Sequence, residues 1–209
     1  MPELWTLGDF TLMNTDTLRY AGFGPRLASL LLDFIIMLPL MALSFWGSAQ
    51  FRLFEVYYFL PGIVFGLFYS VYLVRRFGGT LGKLMVGIRI RKLDGEPVGY
   101  REAFLRYLPD FILGILMSIA FIIPIFHMTD TEYHSLAFME RTKRMVELAP
   151  SWYKPLQWIQ TAWVWGELIV LLTNRKRRAI HDFIAGTVVV HTAAKTTPEP
   201  AVTDPAVST

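Results

Sequence analysis

The side chains of this sequence that are able to do chemistry are charges standing inside apolar stretches. Arg26 and Asp33 lie seven residues apart, and Arg106 and Asp110 lie four apart, so each pair shares one face of a helix. Glu167 stands in a further apolar stretch. An acidic residue at the centre of a membrane span costs on the order of 2.5–3.5 kcal/mol, so such residues face the interior of a bundle and find partners there. Asp33, Asp110 and Glu167 are therefore expected to converge, with Arg26 and Arg106 as counter-ions. Prolines add a second kind of ligand. Pro39, Pro61 and Pro109 free the carbonyls of Ile35, Tyr57 and Leu105, four residues earlier in each case. Carboxylates beside free carbonyls suit a hard cation, and broken helices recur where transporters hold substrate. The same residues also have a structural use, in which Arg–Asp pairs lock helix orientation and prolines only bend helices. Both readings stay open.

The elements that must position these charges follow from composition. Of 209 residues, 54% are hydrophobic and 18% charged, against about 25% charged in soluble domains. A chain this short cannot hide so much apolar surface in its own core, so a soluble globular enzyme is excluded. The absence of cysteine removes disulfides, thiol catalysis and cysteine-ligated metals. Apolar stretches near 27–47, 56–74, 104–126 and 156–173 are each long enough to cross a bilayer, which takes roughly 17–25 helical residues. At 1.5 Å per residue the three acids lie roughly 10 Å inside the membrane from one side. The basic residues set the orientation. Arg75, Arg76 and Lys83 follow the second stretch, and Arg175, Lys176, Arg177 and Arg178 follow the fourth. Both segments are expected in the cytoplasm, where they bind anionic lipid headgroups. The fold class is thus an all-α membrane protein of four transmembrane helices with both termini cytoplasmic, placed in the inner (plasma) membrane as a multi-pass protein. Residues 1–192 form a single transmembrane domain, and residues 193–209, rich in Pro, Thr and Ala, form a disordered tail. The long outer loop, 127–155, is expected to carry a surface helix over 132–148.

Between these stretches lie shorter elements. Thr80 to Val86 fits a short interfacial helix, and the alternation of Val86 to Arg91 fits a strand. Asp94-Gly95 is a hairpin turn signal, with Pro97-Val98 leading away from it. Ala179 to Ala185 and Thr187 to Val190 repeat the helix-then-strand pattern at an offset of 99 residues, so a small cytoplasmic β-sheet is expected. Leu32 to Ile35 aligns with Pro109 to Ile112 at an offset of 77, the difference being the extra length of the second outer loop. These offsets describe two parallel two-helix repeats about an axis along the membrane normal.

The run Arg26-x-x-Ala-Ser-x-x-x-Asp33, the block Gly79 to Lys83 followed by Gly87-Ile88-Arg89, and the stretch Ala179 to Thr187 together resemble the RDD family of bacterial membrane proteins over residues 19–192. The resemblance implies that the Arg and two Asp for which that family is named are Arg26, Asp33 and Asp182. It also implies an integral membrane protein suspected of moving an unidentified ligand. Asp182 lies beside His181, which is able to change charge near neutral pH, and Arg26 is its first expected partner. The long outer loop departs from the family's compact pattern.

Other motifs carry less. Gly78 to Leu84 fails the spacing of a phosphate loop, the four histidines lack the spacing of a zinc protease helix, and no recognition element accompanies the basic loops. No enzyme activity, cofactor, metal or nucleic-acid partner is expected. Gly62-x-x-x-Gly66-x-x-x-Ser70 is a small-residue stripe suited to close helix packing within the bundle or to a homo-oligomer. Two functions remain: a transporter of a small solute or cation coupled to protons, and a non-transporting scaffold or assembly factor that binds lipid and a partner protein.

Overall fold

A computed structural model describes residues 19–192; the expected tail, 193–209, lies outside the described residues. The first long helix, α1 (Phe23–Gln50), has 28 residues and is about 42 Å long at 1.5 Å per residue. The second stretch is composite: α2 (Phe54–Leu67), a π-helical turn at Phe68–Tyr72 and α3 (Leu73–Phe77). Then come α4 (Leu81–Met85) and β1 (Ile88–Lys92), followed by α5 (Tyr100–His127). The remaining elements are α6 (Asp130–Ser135), α7 (Phe138–Glu147), α8 (Tyr153–Thr173), α9 (Ile180–Ala185) and β2 (Thr187–His191).

Three helical stretches, Phe23–Gln50, Phe54–Met85 and Tyr100–His127, are long and apolar enough to cross a membrane. Their outer faces are apolar as well. Leu30 is 63% exposed and Ile35 56%, a surface stable against hydrocarbon and not against water. The helix α8, with 21 residues, is about 31 Å long and matches a hydrocarbon core of about 30 Å. Lys154, Gln157, Gln160 and Glu167 make it more polar than the other three.

The best-buried packing lies at the sheet end. Ala21, Val71, Val74, Ile88, Ile90, Val98, Ala103 and Val189 form one cluster there. β1 and β2 pair antiparallel with Ile90 opposite Val189, and Tyr20 bridges to Val190 on the far side of β2. Gly87 and Gly186 take left-handed φ values of 74° and 66°, which lets the chain turn sharply out of α4 and α9 into the strands.

Two local expectations are adjusted. Residues 132–148 form two helices instead of one, because each of α6 and α7 has its own N-terminal cap. Thr129 Oγ1 accepts the Glu132 amide at 3.1 Å, and the Glu140 carboxylate accepts the Ala137 amide at 3.4 Å. Asp94-Gly95 does turn, with Gly95 at φ 87°, but the chain beyond it adds only the bridge Arg91↔Pro97. Pro97 lacks the N–H that a ladder needs, and the partner of β1 is β2.

Candidate functional site

The charged residues fall into two places, a knot at the sheet end and a cavity farther along the bundle. The knot is built on Asp182, which is fully buried at the third position of α9. Its Oδ2 accepts the Ala179 amide at 3.0 Å, closing the first turn of α9. The same oxygen accepts Arg26 Nη1 at 2.8 Å. Oδ1 accepts Arg106 Nη1 and the Thr187 hydroxyl at 3.3 Å. Arg178 donates to the carbonyls of Asp182 and Thr187 at 2.8 and 3.0 Å, and Arg26 Nη2 donates to the Arg177 carbonyl at 2.6 Å. One carboxylate therefore joins α1, α5, α9 and the start of β2. The two arginines reach it because long helical side chains lean toward the helix N-terminus. Arg26 and Arg106 accordingly reach α9 and pair with Asp182, and neither forms an ion pair with the acid that follows it in its own helix.

Asp33 and Glu167 serve helix termini in a similar way. Asp33 Oδ1 accepts the Gly82 amide at 2.7 Å and the Tyr69 hydroxyl at 2.5 Å, while Oδ2 accepts the Thr80 hydroxyl at 2.6 Å. The carboxylate thus caps α4, and Tyr69 reaches it from the π-helical turn. The approach is close enough that a Cβ on Gly82 would lie 2.3 Å from the Ser29 carbonyl oxygen and 2.7 Å from Asp33 Cγ. Glu167 Oε1 accepts the His181 amide at 2.8 Å at the second position of α9. Its Oε2 stands 2.6 Å from His181 Nδ1. Glu167 Oε2 and His181 Nε2 are buried without a hydrogen-bond partner among the described residues. Burial, and then the positive charges of Arg106, Lys83 and Arg26, hold the His181 pKa well below its ordinary 6.5, so the imidazole is neutral at physiological pH.

The second place is a cavity of about 650 Å³ bounded by α2, α5 and α7. Asp110, Glu55 and Arg141 are its charged lining residues, among rings that include Tyr58, Tyr107 and Phe111. Asp110 Oδ1 accepts Trp163 Nε1 of α8 at 3.0 Å. Glu55 Oε1 accepts the Ser44 hydroxyl at 2.7 Å. The Arg141 guanidinium lies 4.5 Å from the centroid of the Tyr133 ring.

A family model described as RDD family matches residues 20–186. The chain belongs to the RDD family. Comparison with curated proteins and with solved structures returned no match.

Against this RDD frame the expected site residues separate. Arg26, Arg106, Asp182, His181 and Glu167 come together in the knot, Asp33 holds α4, and of the three acids Asp33, Asp110 and Glu167 only Asp110 lines the cavity. The three acids expected to converge do not share one site in the RDD chain, because Asp33 and Glu167 are taken by backbone amides of α4 and α9, although Glu167 stays within electrostatic reach of Asp110. Of the basic residues expected at lipid headgroups, Lys83 donates to the Thr80 hydroxyl at 3.4 Å, and Arg178 lies 3.9 Å from the Phe183 ring centroid. Arg75 and Arg76 lie over the Tyr100 and Phe77 rings, at 5.8 and 5.6 Å. Arg175, Lys176 and Arg177 follow α8, with Arg177 at φ 50°. Sequence reasoning missed Tyr69, Thr187, Trp163 and Glu55. Glu55 carried a readable signal, an acid in the first turn of a span. Nothing in the sequence sets Tyr69 or Trp163 apart from the other rings.

Proposed function

We propose that this RDD protein is a four-span, multi-pass protein of the inner membrane that moves a small solute or cation through the cavity at Asp110. The cavity carries the reading: about 650 Å³ of space between the apolar α2 and α5 and the amphipathic α7, with Asp110 and Glu55 on its wall. A volume of this size suits a small molecule, and an ionisable residue at membrane depth is functional by default. In this reading α8 is the fourth span, and the knot, the sheet and both termini lie in the cytoplasm. Two parallel repeats describe the sheet end well, since Ile90 pairs with Val189, its own equivalent at the offset of 99. Glu167, with one oxygen unpartnered beside the neutral His181, supplies a group for proton coupling. The chain is not an enzyme in this reading and takes no cofactor.

A second reading has its own support. The arginine and both aspartates expected from the family are spent on one another or on helix termini, as a non-transporting scaffold with lipid and protein partners requires. Proteoliposomes containing the purified full chain separate the two. Transport predicts an ion-driven internal pH change, or uptake of a solute, that Asp110→Asn abolishes in a protein that still folds. No flux across a panel of monovalent cations removes the cation–proton version.

A further inference from the structure

The lining of the Asp110 cavity discriminates between kinds of cation. Ca²⁺ and Mg²⁺ take about six to eight oxygen ligands at short range, water among them, and are held by several carboxylate and carbonyl oxygens turned inward together. Here Asp110 has one oxygen engaged by Trp163, and Glu55 is engaged by Ser44. The Ser48, Ser118 and Thr142 hydroxyls are directed to their own helix carbonyls at 3.0, 2.9 and 2.8 Å. No group of three or more His, Asp or Glu able to hold a metal ion occurs among the described residues. Aromatic rings dominate instead, and a ring face attracts a weakly hydrated organic cation more readily than a tightly hydrated metal ion. Arg141 over Tyr133 is a resident example of that contact on the same wall.

Charge points the same way. Among the charged lining residues Glu55 and Arg141 offset each other, which leaves Asp110 as one net negative charge. Arg106, one turn away on α5, is committed to Asp182, and its remaining pull on Asp110 is opposed by Glu167. Asp110 Oδ2 accepts no hydrogen bond from the described residues, whereas Oδ1 is oriented by Trp163.

We propose that the cavity binds an organic ammonium ion of single positive charge, its cationic head at Asp110 and its apolar body against the rings of Tyr58, Tyr107 and Phe111. This names a substrate class for the transport reading and rests on that reading for its use by the cell, while the binding itself is measured separately.

Isothermal titration of the full chain in lipid nanodiscs tests it with tetramethylammonium, choline and benzyltrimethylammonium. The neutral isostere of choline, 3,3-dimethylbutan-1-ol, and sodium and potassium chloride serve as comparisons. At least one ammonium ion is expected to bind, with choline preferred about tenfold or more over the neutral alcohol and no competition from equimolar sodium. Asp110→Asn is expected to weaken ammonium binding about tenfold or more with the thermal midpoint unchanged. Phe111→Leu, which leaves the carboxylate in place, is expected to weaken it by a smaller factor and keeps the proposal open to refutation if Asp110→Asn fails to fold. Absence of binding by all three ions, equal binding of the neutral alcohol, or displacement by equimolar sodium overturns the proposal. Binding without uptake into proteoliposomes leaves the site standing and removes transport. Sodium or potassium flux by a protein that binds none of the three ions does the reverse.

Discussion

Asp182 concentrates the energetics of single residues in this molecule. Its carboxylate is fully buried with two guanidinium groups, a hydroxyl and a backbone amide on it. Removing one partner of a buried ion pair leaves an uncompensated charge and costs about 3–5 kcal/mol. Asp182→Asn is therefore expected to lower the thermal midpoint of the detergent-solubilised protein sharply. Asp182→Asn combined with Arg106→Met is expected to lose less than the sum of the single losses, because the second change removes one of the two stranded charges. His181 adds a pH term whose sign is set first by burial and then by Arg106 of α5, Lys83 of α4 and Arg26 of α1, against Glu167 of α8 and Asp182 on its own helix, which also face it. Its folded pKa is depressed, so below about pH 6.5 the unfolded chain takes up a proton that the folded chain refuses. Stability is then lost as pH falls, by up to about 1.4 kcal/mol per unit. Midpoints measured from pH 7 to 5 should fall more steeply in the wild type than in His181→Gln. Arg26, Arg106 and Glu167 of the knot were legible as charges in apolar stretches, while Asp182 was singled out by the resemblance to the RDD family. The Arg26–Asp182 pair was expected and is present, but the pairing of Arg106 was not legible, because Arg106 and Asp182 are 76 positions apart and side-chain direction, not spacing along one helix, decided the partner.

At the scale of elements, α4 and α9 are too short to persist alone, having five and six residues. Each is fixed by an acid from a long helix at its N-terminus, Asp33 for α4 and Glu167 for α9. The α1–α4 contact is the tighter, and Gly82 is its measure. A methyl group there would force apart the Ser29 backbone and the Asp33 carboxylate, so Gly82→Ala is expected to cost about 1–3 kcal/mol. Gly62→Ala, whose Cβ would meet nothing within 4 Å, is expected to be neutral or slightly stabilising in the same thermal assay. Gly66 behaves differently from Gly62 although both belong to one stripe. The Tyr107 hydroxyl already lies 2.5 Å from where its Cβ would stand, so the stripe is used at Gly66 to seat α5 within the bundle. The short helices and both strands were readable in the sequence from period and from the repeated glycine. The π-helical turn was not, since the Phe68–Tyr72 stretch is apolar whichever helical pitch it takes.

For the whole molecule, the decisive question is whether α8 crosses the membrane, because its answer sets which side the outer loop, the knot and the termini occupy. Its length fits a span, while Lys154, Gln157, Gln160 and Glu167 reduce its hydropathy. The structure offers a physical reason for that polarity to be tolerated. Glu167 is directed at α9 and not at lipid, Gln157 donates to the Tyr153 hydroxyl at 2.8 Å, and Trp163 faces Asp110. A polar residue with an internal partner adds much less to the cost of insertion than a free one. The chain contains no cysteine, so single substitutions report sidedness without background. Ser151→Cys stands just before α8 and Lys176→Cys just after it, and Arg91→Cys on β1 marks the sheet side. In intact cells a membrane-impermeant maleimide is expected to label Ser151→Cys and to leave Lys176→Cys and Arg91→Cys unmodified until the membrane is opened. If Ser151→Cys and Lys176→Cys respond alike, α8 does not cross. The chain then spans the membrane three times, and the cavity at Asp110 needs a different outer boundary.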